Sequence, residues 1–404
     1  MTFFGLSREL WLVEFGIFVN MLGYGAVLPF EIIYLHDGRG FGLAVAGLVV
    51  GAITGAAVVT APVAGPLIDR FGARTAAVGA SVALAAGYAG LAIATTPAVA
   101  VVAACIAGAG NGVANPSQST LIANMSTRDV RHRATAVSRV AANVGFGLGG
   151  TLGGFVAVRG LPGFVALFLG NAVTYLLYIA VLVMAVRETP SPPAERGYSV
   201  VLRDRTFLRL VAVNVAMIAV GWSVFSWLLP LHANAMHVSA RLIGVLLLAN
   251  AATVVALQVP IAKYAEGRRR ALMIVIAAGL FAGACVLVAG AGSLGRWAYA
   301  ILVVATVLVG LGECFHTSAL MPLVADLAPV SLRGRYMAVM GFSWWIGLAV
   351  APMLGPALLG AAPSAAFVVS GVVAIGAGAV ALGLERRLPE AAVRTPVPVK
   401  VTHG

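Results

Sequence analysis

Along this chain apolar residues come in runs of about 20 or more, the length of helix that crosses a lipid hydrocarbon core. Short polar, turn-prone breaks separate the runs. Cutting at charged and turn-forming clusters gives twelve apolar segments, at 10–35, 42–66, 74–95, 98–124, 136–158, 163–186, 208–231, 242–262, 271–292, 296–324, 336–360 and 363–384. The runs are continuous, whereas a transmembrane barrel shows short alternating segments. The pattern therefore predicts an all-α membrane protein with twelve transmembrane helices. One break is long. Residues 188–207 lie in the polar, proline-bearing stretch RETPSPPAERGYSVVLRDRTF and predict a linker between two six-helix halves, 1–187 and 208–386. Residues 387–404 are expected to form a tail without fixed structure.

Composition agrees: 61% of the residues are hydrophobic and 10% charged, against about 25% charged in soluble domains. The net charge of +12 invites a nucleic-acid reading, but the positions of the charges oppose it. With the N-terminus inside, 22 of the 26 Lys and Arg fall in loops and tails on one side, leaving Arg39, Arg159, Arg241 and Arg296 on the other. Cytoplasmic loops retain positive charge, so both termini are predicted cytoplasmic, with lipid and not nucleic acid as the surrounding partner. Cys105, Cys285 and Cys314 sit in apolar runs with no metal-like spacing and read as packing residues.

The halves repeat. LIANMSTRDVRHRATAV (121–137) aligns without gaps on LVADLAPVSLRGRYMAV (323–339), matching Arg131 with Arg333 and Arg133 with Arg335 in the same inter-helix loop of each half. Two parallel halves with a site between them is a transporter plan.

A charged, glycine-hinged turn interrupts the apolar pattern at GPLIDRFGART (65–75). Gly65 is expected to let a helix end close to its neighbour, Gly72 to allow a tight turn, and Asp69 to sit at a neighbouring helix N-terminus. This stretch resembles the loop motif of the major facilitator superfamily, Gly-x-Leu-x-Asp-Arg-x-Gly-Arg, through Gly65, Leu67, Asp69, Arg70, Gly72 and Arg74. The resemblance implies that Asp69 meets span 11 and latches the halves on the inside. In the second half, PIAKYAEGRRRAL (260–272) keeps Gly267 in place of Gly72 but has Tyr264 in place of Asp69, so that latch is degenerate.

Span 5 carries GFGLGGTLGG (145–154), which resembles the superfamily's antiporter motif through Gly145, Gly149, Gly153 and Gly154, with Gly150 where the family has proline. The same spacing is a close-packing pattern for helices in lipid. Span 1 has LGYGAVLPFE (22–31), similar to a drug-exporter pattern, with Ile32 replacing its second proline. No charged residue lies between Arg74 and Arg128, so the arginine that span 4 carries in proton-coupled members is absent.

Acids within a membrane span are functional candidates by default. Glu14, near the inner end of span 1, is expected to snorkel. Glu31 stands two residues after Pro29 near the outer end, and Glu313 lies near the middle of span 10 with His316 one turn on, on the same face. Glu313, His316 and Glu31 are thus the proton-coupling candidates, since a carboxylate–imidazole pair can bind and release a proton near neutral pH. No Walker-type loop, H-E-x-x-H or G-x-S-x-G occurs, which speaks against ATP hydrolysis by that route and against intramembrane hydrolysis. No cofactor and no metal are expected. The resemblance implies the superfamily fold of two pseudo-symmetric six-helix bundles in a monomer of the plasma membrane. It further implies a secondary active transporter, proton-coupled and exporting small amphipathic drug-like molecules by alternating access. Transport of one defined metabolite, such as a sugar or organic acid, is the alternative, and a non-transporting membrane sensor is the alternative of another class.

Overall fold

The computed structural model describes residues 6–126, 131–186, 198–328 and 333–395. Among them are twelve long helices: α1 (Arg8–Val27), α2 (Leu43–Phe71), α3 (Ala73–Ile93), α4 (Pro97–Met125), α5 (Arg131–Ala157), α6 (Leu161–Ala185), α7 (Arg205–Ile218), α8 (Ala240–Ala265), α9 (Arg270–Ala291), α10 (Ala298–Leu327), α11 (Arg333–Ala361) and α12 (Pro363–Leu384). They follow the twelve apolar segments. The chain is an all-α membrane protein. Its outward side chains are as apolar as its buried ones; Val59, Met184 and Val372 are exposed, as lipid contact requires.

Local chemistry starts the helices. The Ser7 hydroxyl accepts from the Leu10 N–H at 3.2 Å at the start of α1, and Thr96 caps α4 just ahead of Pro97. At α7 the Asp204 carboxylate accepts from the N–H groups of Thr206 and Phe207 at 3.0 and 2.9 Å. Such caps satisfy donors that have no partner inside the helix. Between α9 and α10 the chain turns within Gly292–Trp297, where Gly295 takes a φ of +51°, a left-handed value that glycine tolerates.

Two spans depart from regular helix. Beyond Val27 the first span tightens into a 3₁₀ turn at Leu28–Phe30, where Pro29 cannot donate, resumes at Glu31–Ile33, and ends in a π-turn at Tyr34–Gly38. The seventh span widens into a π-turn over Ala219–Leu228 and then continues as Leu229–Ala235.

The chain forms two compact units. The first comprises Met1–Glu195, Ser226–Ala251 and Ala349–Ala361; the second comprises Arg196–Phe225, Ala252–Leu348 and Ala362–Gly404. In the first, α1 packs on α5 and α6, and α4 packs on α2 and α3. In the second, α9 packs on α10 and α12.

The expectation of a structureless tail is corrected for residues 387–395. Thr395 and residues 267–268 exchange backbone hydrogen bonds at 2.9 and 3.0 Å around an isolated bridge of Arg269 with Arg394, and Glu390–Val393 forms a helical turn. The cause is local electrostatics. Arg269 donates twice to the Glu385 carboxylate at 2.7 Å, which raises its own pKa, and the fully buried Arg270 bonds to Asp326 and to the Ala392 carbonyl. Residues 396–404 lie outside the described residues.

Candidate functional site

Glu31 is 2% exposed, just past the Pro29 turn of the first span. Its Oε1 accepts from the Tyr88 hydroxyl of α3 at 3.2 Å, and its Oε2 accepts from the Trp227 indole N–H at 3.0 Å. Tyr88 stacks on Tyr175 of α6, with centroids 6.0 Å apart and planes 11° apart. Among the described residues no cation forms an ion pair with this carboxylate. A buried carboxylate held only by two neutral donors is an exposed cost unless it titrates or binds something, because one charge-assisted bond offsets only part of the desolvation. Nearer the Gly38 end, the Arg39 guanidinium donates to the Tyr34 hydroxyl at 2.7 Å and to the Ala92 carbonyl, placing a cation at the C-terminus of α3. Asn234 donates to Asp37 at 2.7 Å.

The second unit holds the other candidates. Glu313 and His316 are both buried on α10, the histidine at 1% exposure. Trp222, from the π-turn of the seventh span, lies against the His316 ring with centroids 5.4 Å apart and against Trp344 of α11 at 4.9 Å. Phe281 of α9 closes on Trp222 from another side at 6.2 Å. Glycines admit that ring: a Cβ on Gly221 or Gly312 would stand 2.6 or 2.5 Å from it. Among the described residues neither ring nitrogen of His316 has a hydrogen-bond partner.

The glycines of α5 form two stripes. Gly145, Gly149 and Gly153 press on the backbone of Phe18, Leu22 and Ala26 in α1. Gly147, Gly150 and Gly154 press on Ala251, Leu247 and Ala240 of α8, where Thr151 also donates to the Gly244 carbonyl at 3.3 Å. A side chain at any of these six positions would collide, so the stripes serve as close-packing surfaces.

In the loop between α2 and α3, Gly72 takes a φ of +85°, and Gly267 of the second half takes +70°. The aligned glycines thus perform the same turn. Arg74 donates to the Leu182 and Val183 carbonyls at 3.1 and 3.0 Å, at the C-terminal end of α6. Leu67 is half-buried against the first unit's core, and Arg70 is exposed over the Phe71 ring. Among the described residues nothing approaches Gly65 closely: a Cβ there would meet open space, on an exposed face of α2. The Asp69 side chain and residues 329–332 ahead of α11 lie outside the described residues, as do the Arg131, Arg133 and Arg333 side chains. Glu14 does not snorkel. It is buried, and Ser138 of α5 donates to it at 2.6 Å.

A family model described as Major Facilitator Superfamily matches residues 13–300 and 211–401. The chain belongs to that superfamily. It is a multi-pass transporter whose twelve helices form two pseudo-symmetric six-helix bundles. The multidrug resistance protein MdtH of Aeromonas hydrophila is 26% identical over 359 residues, covering 85% of each chain. The uncharacterized MFS-type transporter YttB of Bacillus subtilis is 25% identical over 366 residues, covering 88% of this chain and 89% of YttB. Among solved structures, a POT family transporter in complex with a thioalcohol-conjugated peptide matches with a TM-score of 0.79, at 14% identity over 95% of this chain and 97% of that one. A D-xylose-proton symporter matches with a TM-score of 0.76, at 14% identity over 96% and 98%. At such identity these two show the fold alone.

The sequence pattern marked Glu31 as a candidate but did not connect it to Tyr88 or Trp227. Tyr88 did leave a signal, as the sole aromatic residue in an α3 built of small and aliphatic residues. Ser138, the partner of Glu14, left none, being one of several polar residues in the first half of α5.

Proposed function

We propose that this transporter is a proton-coupled exporter of small amphipathic compounds, working by alternating access as a monomer in the plasma membrane with both termini in the cytoplasm. The observation that carries the reading is Glu31: a buried carboxylate at membrane depth, bound by Tyr88 and Trp227 and paired with no cation among the described residues. Such a group has one economical use, to take up and give back a proton as access changes. The arginine missing from span 4 does not oppose this, because the proton site lies on spans 1, 3 and 7.

Efflux of drug-like compounds is supported by the name of MdtH and by the aromatic cluster of Trp222, Trp344 and Phe281 beside His316 and Glu313. Flat apolar faces with one acid nearby suit amphipathic and cationic molecules, since aromatic faces attract cations. Glu313 and His316 serve this reading as the substrate-side titratable pair. Cells expressing the wild type should accumulate less of a cationic dye such as ethidium than control cells, and an uncoupler should abolish the difference. Glu31→Gln should lose the uncoupler-sensitive part while still inserting into the membrane. Glu313→Gln should weaken dye export as well. Uncoupler-sensitive export retained in Glu31→Gln would remove the proton role assigned to that residue.

A further inference from the structure

Trp222 and Trp227 belong to one π-turn, Ala219–Leu228. The first indole packs on His316, and the second donates to Glu31. This turn is also where span 7 passes from the second compact unit, which ends there at Phe225, to the first, which resumes at Ser226. The two indoles are thus five positions apart on one continuous backbone segment. π-turns cost hydrogen-bond geometry and recur at functional sites.

We propose that Trp227 is a positioning residue that couples the proton on Glu31 to the substrate cluster, with the π-turn of span 7 as the connecting element. The proposal rests on Glu31 being the proton site. An indole N–H only donates. To an ionised carboxylate it makes a charge-assisted bond, and to a protonated one it makes an ordinary bond of roughly half the strength. The Tyr88 hydroxyl can reverse its role, accepting from the new carboxyl hydrogen on Oε1 with its own hydrogen turned away. Trp227 has no such alternative, so the change in bond strength falls on the turn. The other titratable groups facing Glu31 are the hydroxyls of Tyr24, Tyr88 and Tyr175. On the same segment Ser223 donates to the Leu348 carbonyl at 2.7 Å, and Trp222 packs on His316, which shares α10 with Glu313. Of these titratable groups Glu31 is the one that Trp227 touches.

Coupling between two sites is reciprocal, so substrate affinity must depend on pH through Trp227. The test uses the purified full chain in lipid nanodiscs and tetraphenylphosphonium, an aromatic cation that does not itself titrate. Wild-type affinity is expected to change by about tenfold or more across the acidic-to-neutral range, the worth of one charge-assisted bond. Trp227→Phe should bind within about twofold of wild type at its better pH and keep only the pH dependence that Glu31→Gln also keeps, whereas Trp227→Gln, which restores a non-titrating donor, should regain part of the rest. Wild-type pH dependence in Trp227→Phe overturns the proposal, as does loss of binding at every pH in both variants. A wild type that binds no probe, or binds it equally at all pH values, overturns it too. If Glu31→Gln keeps the wild-type pH dependence, the proton site itself has been misassigned. If that variant loses the dependence and Trp227→Phe keeps it, the failure is that of Trp227 alone.

Discussion

His316 sets the terms at the scale of single residues. A histidine buried to 1% exposure with neither nitrogen bonded among the described residues forgoes about 1–3 kcal/mol that a satisfied or apolar side chain would not. Folding alone gives no reason for an imidazole there. His316→Leu is therefore expected to raise the melting temperature of the purified protein, stabilising it by about 1 kcal/mol, and to weaken binding of aromatic cations. An unchanged or lower melting temperature with full binding would mean that the ring is satisfied by water and has a packing role. Glu14 is a milder case: Ser138 donates to its Oε1 at 2.6 Å, while its Oε2 has no hydrogen-bond partner among the described residues. The sequence pattern singled out both residues for lying in apolar runs, but it could not separate them, because what distinguishes them is a partner on another helix.

At the scale of elements, the α5 glycines show what spacing can and cannot disclose. The interval of four residues was legible as a packing stripe; that a second stripe, three and four residues apart, faces α8 was not, since nothing local names the partner. Helix packing makes the two kinds of glycine separable. A Cβ on Gly149 would run into the Leu22 carbonyl of α1, whereas one on Gly79 of α3 would meet open space. Gly149→Val should destabilise by about 1–3 kcal/mol through overpacking, and Gly79→Ala should stabilise by about 0.5–1 kcal/mol through helix propensity. Thermal unfolding in detergent reads both, and equal effects would show that α5 has room the packing denies. The π-turn of span 7 was illegible for a related reason. A hydrophobic period near 3.6 residues carries no mark where the backbone widens, so the register that brings Trp227 to Glu31 could not be read from the residues. Gly65 differs the other way: a glycine in a recognisable motif suggested close approach, and among the described residues its helix face is open.

The whole molecule was the most legible scale, because transmembrane length, the loop-by-loop distribution of arginines and the internal repeat are global regularities that local surprises do not disturb. The repeat even extended to backbone conformation, with Gly72 and Gly267 both at positive φ. Sidedness is the regularity that remains to be measured. Arg159, Arg203, Arg296 and Arg387 are all exposed, so each can be replaced by cysteine without opening the core, on a background in which the exposed Cys105 is changed to serine. An excess of arginine marks loops held in the cytoplasm, and twelve crossings return the chain to the side it started from. A membrane-impermeant maleimide added to intact cells should therefore label cysteines at 159 and 296 and leave 203 and 387 unmodified. Inverted vesicles should give the converse. An odd number of crossings between 203 and 387 would put those two on opposite sides, and an even number between 159 and 203 would place that pair together. Either pattern would break the alternation on which the cytoplasmic placement of the loop at 65–75, and with it any latch through Asp69, depends.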